Sequence, residues 1–335
     1  MNPKVKFILK LVFFLGLGFF FIWWFQRKLT PEEKNEIYSS FFSANYLWVL
    51  ISFIPGLLSH WIRSVRWRML LKPMGYNPNK KLTFTAVMIG YLANLAFPRL
   101  GEIMRCGILS KYEKIPVEKS FGTVITERTV DIIIFFFLFS LTLILDFYNL
   151  KDYMYNNFWV EFAHKYQQFH LTSFIGILIL SLIIVSVFLF IIFKKKIQKS
   201  NLYIKTMVVV MGFVEGLKSL SKIEKPFLFI FYSFFIWFNY FLMTWLIFLC
   251  FNQTSNLGLN VALATLVTGS IGIMIVPGGI GIYPLIVSQT LIIFAIPKTV
   301  GYAVGWIAWS SQTLLIIIFG ISGFLFLSFF KRKKK

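Results

Sequence analysis

Long apolar runs separated by short polar stretches dominate this chain. Apolar segments fall near 7–25, 46–62, 82–98, 122–147, 172–193, 227–251, 258–276, 283–296 and 299–327. Several reach the roughly 17–25 residues that an α-helix needs to cross a bilayer. Those at 7–25, 172–193, 227–251 and 299–327 are apolar throughout, and the others are short or interrupted. The pattern predicts an all-α fold, a polytopic integral membrane helical bundle of about 6–8 spans. One stretch differs. At 201–224, Val210, Phe213, Val214, Leu217 and Leu220 recur at helical spacing between Lys205, Glu215, Lys218 and Lys222. This predicts a helix on the cytoplasmic membrane surface, or a connector packed on the bundle.

Two interruptions are Pro/Gly breaks. The segment 82–98 ends at Pro98-Arg99-Leu100-Gly101, and 258–276 ends at Val276-Pro277-Gly278-Gly279-Ile280-Gly281. Counting Lys and Arg sets the topology around them. With the N-terminus cytoplasmic, 25 basic residues fall inside and 6 outside, leaving Arg99, Arg105 and Arg128. Both termini are then cytoplasmic. The segment starting after Lys80-Lys81 and the basic stretch 111–119 both belong inside, so the chain must turn back at Pro98. This predicts a re-entrant hairpin, tolerated only where the broken backbone is buried in protein or lines a cavity. The second break, of opposite polarity, suggests an inverted repeat with halves near 46–147 and 227–327. Such repeats place binding sites at their interface. The ordinary frequency of Pro and Gly in membrane helices explains the pair equally well.

Composition agrees. The 335 residues are 58% hydrophobic and include 41 Phe, more than a soluble domain of this length requires. A single membrane domain over 1–335 is expected, the N-terminal apolar run being an uncleaved span rather than a signal peptide. The net charge of +21 follows the positive-inside bias, and no basic soluble module argues for nucleic acid. Cys106 and Cys250 form no redox or metal spacing and read as buried.

Charges in apolar sequence are the strongest functional clue. Arg99, Glu102, Arg105, Glu127, Arg128 and Asp131 all lie in or beside apolar segments, where a bare charge costs on the order of 3 kcal/mol or more. Arg99, Glu102 and Arg105 share a broad helix face, as do Glu127 and Asp131. The six sum to zero, which suits a self-neutralising network that fixes helix register. They equally suit a polar cavity in which arginines bind phosphate and carboxylates meet a cationic headgroup or a coupling proton. Tyr91 and Asn94 precede the break by one to two turns and either line that cavity or satisfy freed backbone groups. Pro277, Gly278, Gly279 and Gly281 form a hinge, or a loop that a headgroup can approach closely. His60, Trp61, Arg63, Arg66, Trp67 and Arg68 read as an interfacial anchor, with anionic-lipid docking as the sharper alternative. No nucleophile–base pair, metal spacing or cofactor motif is evident.

These residues carry a resemblance. Arg63-x-x-Arg66-Trp67-x-x-x-Leu71, then Tyr91-x-x-Asn94-x-x-x-Pro98-Arg99-x-Gly101-Glu102-x-x-Arg105, Thr123-Val124-x-x-Glu127-Arg128-x-x-Asp131 and Pro277-Gly278-Gly279-Ile280-Gly281 occur in this order. The chain resembles the lysylphosphatidylglycerol synthetase transmembrane region, the flippase-like family, from about residue 10 to 328. The Gly-Glu-x-x-Arg and Glu-Arg-x-x-Asp pair is the specific part. Two-domain members add a soluble domain that transfers an aminoacyl group from tRNA to phosphatidylglycerol. This sequence stops at Lys335, so the resemblance implies lipid handling without that transfer. One departure is Tyr283-Pro284, where members often carry a polar residue. The expected function is a flippase for a phosphate-bearing amphiphile: a phospholipid, an aminoacyl-phospholipid or a polyprenyl-phosphate sugar. The alternative is a non-transporting accessory protein presenting lipid-linked precursors to an envelope-biosynthesis enzyme. A lipid-modifying enzyme ranks last. Expected partners are membrane lipids and such an enzyme; no cofactor is expected.

Overall fold

The structure, a computed structural model, describes residues 16–97, 99–147 and 223–330. Pro98, the apolar segment expected at 172–193 and most of the surface helix expected at 201–224 lie outside the described residues. The described residues form an all-helical membrane bundle. The first helical stretch, α1, covers 16–27. It is followed by α2 (Pro31–Ser43), α3 (Tyr46–Leu71), α4 (Lys80–Ala96), α5 (Leu100–Glu113) and α6 (Val117–Leu145). After residue 223 come α7 (Pro226–Phe248), α8 (Leu259–Ile275), α9 (Ile282–Ile292) and α10 (Lys298–Phe329). By length and composition, α3, α6, α7 and α10 can each cross a bilayer. Their outward side chains are large and apolar, among them Ile54, Phe136, Ile144, Phe227, Phe231 and Leu325. Such a surface suits contact with lipid tails.

Local chemistry fixes the helix starts. Thr30 and Glu33 form a reciprocal capping box at α2, a signal present in Thr30-Pro31-Glu32-Glu33 but absent from the apolar pattern. Asn45 caps α3, and the Asn79 carboxamide accepts from the Lys81 and Leu82 N–H groups of α4. The apolar pattern ends the second segment at residue 62, yet α3 continues helical to Leu71. The extra nine residues hold charges that are neutralised inside the protein rather than by water.

The two breaks fold as two antiparallel hairpins. In the first, Glu113 at the end of α5 accepts the Asn79 N–H at the start of α4. Nearer the turn, the Gly101 N–H donates to Asn94 Oδ1 at 2.7 Å. Gly90 and Gly101 meet backbone to backbone, leaving no room for a Cβ at Gly101 beside the Gly90 carbonyl. In the second, Thr290 Oγ1 lies 2.8 Å from Thr268 Oγ1, and Gly269 packs on the Tyr283 ring. The hairpin turns touch: a Cβ at Gly278 would stand 3.2 Å from the Leu95 carbonyl oxygen. Trp309 Nε1 of α10 donates to the Gly278 carbonyl at 2.6 Å and ties the second turn to α10. Each hairpin has its own apolar core. One contains Trp67, Leu82, Ala86, Ile89, Leu109 and Val124. The other contains Phe248, Ala262, Val287, Val300, Ala303 and Val304.

Candidate functional site

The hairpin turn sets the site. Arg99 has φ 65°, the left-handed region, and caps α5 without a side-chain bond. A non-glycine residue is held there only where the surrounding structure demands it. Its guanidinium is exposed and joins no ion pair among the described residues, so it does not pair along α5 as its three-residue spacing suggested. Glu102 and Arg105, one and two turns on, face the bundle. The Gly90–Gly101 contact brings α5 close enough to α4 for Asn94 Nδ2 to approach Glu102 Oε1 at 3.4 Å.

Behind the turn lies a buried charge network. Glu127 on α6 is fully enclosed. Its Oε1 accepts from Arg63 Nη1 at 3.2 Å and Arg66 Nη2 at 3.1 Å, and its Oε2 accepts from Arg105 Nη2 at 2.9 Å. Asp131 Oδ2 accepts from Arg63 Nη1 at 2.6 Å. Arg66 Nη2 lies 2.8 Å from Asp131 Oδ1, an ion contact whose angle misses hydrogen-bond geometry. Arg66 Nη1 donates to Ser233 Oγ, and Arg63 Nη2 to Tyr240 Oη, both on α7. Arg105 stacks over Trp67, whose Nε1 donates to Thr123 Oγ1 on α6. The outer member is Arg128, 39% exposed at its side chain. Its Nη2 donates to Glu102 Oε1 at 2.9 Å, and its Nη1 lies 3.9 Å from Asp131 Oδ2.

This arrangement overturns the reading of Arg63 and Arg66 as an interfacial anchor. Both are buried, as are His60 and Trp67, while Trp61 and Arg68 stay near the surface. The spacing contained a signal: His60, Arg63 and Trp67 recur at three and four residues, the period of one buried helix face. Withdrawing the two arginines leaves 23 interior charges against 6, so the topology argument keeps its sign. The electrostatic balance does change. Four guanidinium groups now meet three carboxylates, with Arg99 adding a further positive charge at the turn. The cluster is not self-neutral.

A narrow cleft opens on its outer face, lined by Tyr91, Asn94, Gly101, Glu102, Arg105 and Arg128 among others. The enclosed space is about 10 Å³, room for about one water. Polar groups in and around it stay unbonded among the described residues: the Tyr91 hydroxyl, Glu102 Oε2 and the Arg105 Nε. Buried polar atoms are normally satisfied, so this is a place where a polar ligand would gain partners. Gly278, Gly279 and Gly281 all take positive φ, which glycine adopts at little cost. With Pro277 they form the second turn and reach the first hairpin at Leu95, not the guanidinium cluster. Among the described residues no group of three or more His, Cys, Asp or Glu could hold a metal, and both cysteines are free and buried.

A family model described as the lysylphosphatidylglycerol synthase TM region matches residues 7–320. A UPF0104 membrane protein of Methanocaldococcus jannaschii is 29% identical over 214 residues, 63% of this chain and 56% of that protein. A UPF0104 membrane protein of Methanothermobacter thermautotrophicus is 27% identical over 113 residues, 33% of each. The glycosyltransferase AglD of Haloferax volcanii is 26% identical over 102 residues, 30% of this chain and 16% of that protein. The match thus spans just over half the length of the first relative and less of the others. No solved structure matches the chain.

Proposed function

Because the chain belongs to the lysylphosphatidylglycerol synthase TM-region family, we propose that it moves a phosphate-bearing amphiphile across the membrane without catalysing a covalent change. The observation that carries this is the uncompensated positive charge at the hairpin turn. Guanidinium groups stay charged at every relevant pH and bind phosphate oxygens in a planar, bidentate manner. A buried positive excess recruits an anion, and a lipid headgroup is the anion that a membrane supplies. Arg128 and Arg99 are the groups within its reach. Tyr91, Asn94 and Glu102 line the approach. Arg63, Arg66, Arg105, Glu127 and Asp131 form the frame that holds Arg128 and the hairpin in register.

The cleft holds about one water as it stands, and its lining comes from α4, α5 and α6, so a headgroup enters only when these helices part. The Leu95–Gly278 contact would couple that movement to the second turn, which the Trp309 bond ties to α10. We read the two hairpins as re-entrant segments, one in each half of an inverted repeat, with termini in the cytoplasm of an inner-membrane protein. Membrane lipids are the partners of this reading.

A second reading has one observation in its favour, the local similarity to a glycosyltransferase. In it the chain presents lipid-linked precursors to an envelope-biosynthesis enzyme and moves nothing itself. The two separate in liposomes holding only the purified protein and labelled phosphatidylglycerol. Inward and outward movement by the wild type, lost in Arg128→Gln and Arg99→Gln variants that still insert, supports transport. No movement by well-folded wild type favours presentation, and wild-type movement in both variants removes the arginines from the mechanism.

A further inference from the structure

A second groove lies on the outside of the bundle, where α4 and α10 pack together beside α3. It encloses about 220 Å³. Its walls are aromatic: the Trp61 and Phe84 ring centroids are 5.5 Å apart, and Phe84 meets Phe319 edge-on at 6.4 Å. Phe326 continues the wall about two turns along α10. Phe319 and Phe326 are seven residues apart, so the groove runs about 10 Å along the helix. Its floor is Gly323, where α10 approaches α4 so closely that a Cβ would stand 3.1 Å from Ile89 Cγ1. A larger residue there would both fill the groove and part the helices.

Among the described residues lining the groove the one cation is Lys81, at one end, in the first turn of α4. Its side chain is exposed and enters no ion pair among the described residues. An apolar slot open to the bilayer accommodates an acyl chain. An ammonium at its water-facing end attracts a phosphate, as basic pockets between helices do for anionic headgroups. None of these residues belongs to the Arg–Glu–Asp network.

We propose that this groove is a binding site for one anionic phospholipid, its phosphate on Lys81 and one acyl chain along Phe84, Phe319 and Phe326. The site is separate from the central cleft and does not depend on transport. The test is native mass spectrometry of the full chain released from phosphatidylcholine nanodiscs doped with phosphatidylglycerol. The wild type retains phosphatidylglycerol over phosphatidylcholine. One lysine at a membrane surface changes such binding about fivefold. Lys81→Gln therefore lowers retention by about that factor, while Lys81→Arg preserves it. Lys80→Gln, which removes the neighbouring charge outside the groove, leaves it unchanged. Equal loss in Lys80→Gln, or no loss in Lys81→Gln, overturns the site. So does retention of phosphatidylcholine as firm as that of phosphatidylglycerol. Arg128→Gln separates this site from the central one: if that variant alone sheds the lipid, the lipid was held at the central cluster and the groove is not a site.

Discussion

Replacing Glu127 with glutamine removes one charge and almost no volume. In the native protein its two oxygens receive three guanidinium groups, and the side chain is wholly enclosed. The variant leaves four buried or half-buried arginines facing two carboxylates, and turns an amide N–H toward a cation. Breaking one partner of a buried ion network costs about 3–5 kcal/mol. Glu102 makes the comparison, since among the described residues its only guanidinium hydrogen bond is to the 39%-exposed Arg128, and such a pair is worth about 1 kcal/mol or less. Glu127→Gln should therefore lie at least about 2 kcal/mol below Glu102→Gln in mixed-micelle unfolding titrations. Adding Arg66→Met to Glu127→Gln removes one stranded cation and restores the native excess of one. The double variant should recover about 1 kcal/mol or more, a coupling that independent sites do not show. Equal destabilisation by Glu127→Gln and Glu102→Gln, with no recovery in the double variant, would refute the reading of Glu127 as the keystone of the network.

Three further outcomes follow from packing. Gly101→Ala places a methyl against the Gly90 carbonyl and should cost about 1–3 kcal/mol, whereas Gly107→Ala on the same helix, with open space around it, should be neutral or stabilise by about 0.5–1 kcal/mol; equal effects in thermal unfolding would disprove the close crossing. Trp309→Phe strips the 2.6 Å donor from the Gly278 carbonyl, so amide exchange at 278–281 should quicken, and unchanged exchange would show that the bond does not hold the second turn. Thr30→Ala removes the cap of α2, with an expected loss of about 1 kcal/mol and faster exchange over Pro31–Ser43; an unaltered exchange pattern would argue against the capping box.

Much of the bundle is legible in the sequence because hydrocarbon imposes simple rules. Segment lengths and apolarity locate α3, α6, α7 and α10, and the breaks at Pro98 and Pro277 mark the two hairpin turns. What escapes is what depends on partners distant in the chain. Arg63 and Arg66 sit where interfacial anchors commonly do, and their burial becomes evident only when Glu127, some sixty residues later, is brought beneath them. Arg99 fails in the opposite direction: its spacing to Glu102 suggests a shared face, but its positive φ turns it out of the helix. The apolar pattern is equally silent on α2, whose start is written in a polar cap rather than in hydrophobic periodicity.

The central claim is that the positive excess at the first hairpin turn holds a lipid phosphate. The most direct test is mass spectrometry of lipids carried by the gently purified protein, beside an Arg99→Gln, Arg128→Gln double variant that leaves the buried frame intact. A specific phosphate-bearing lipid on the wild type, lost from the double variant while the Lys81 groove keeps its own, is the predicted result. The same lipids in the same amounts on both proteins would contradict the claim and leave the cluster a structural network alone.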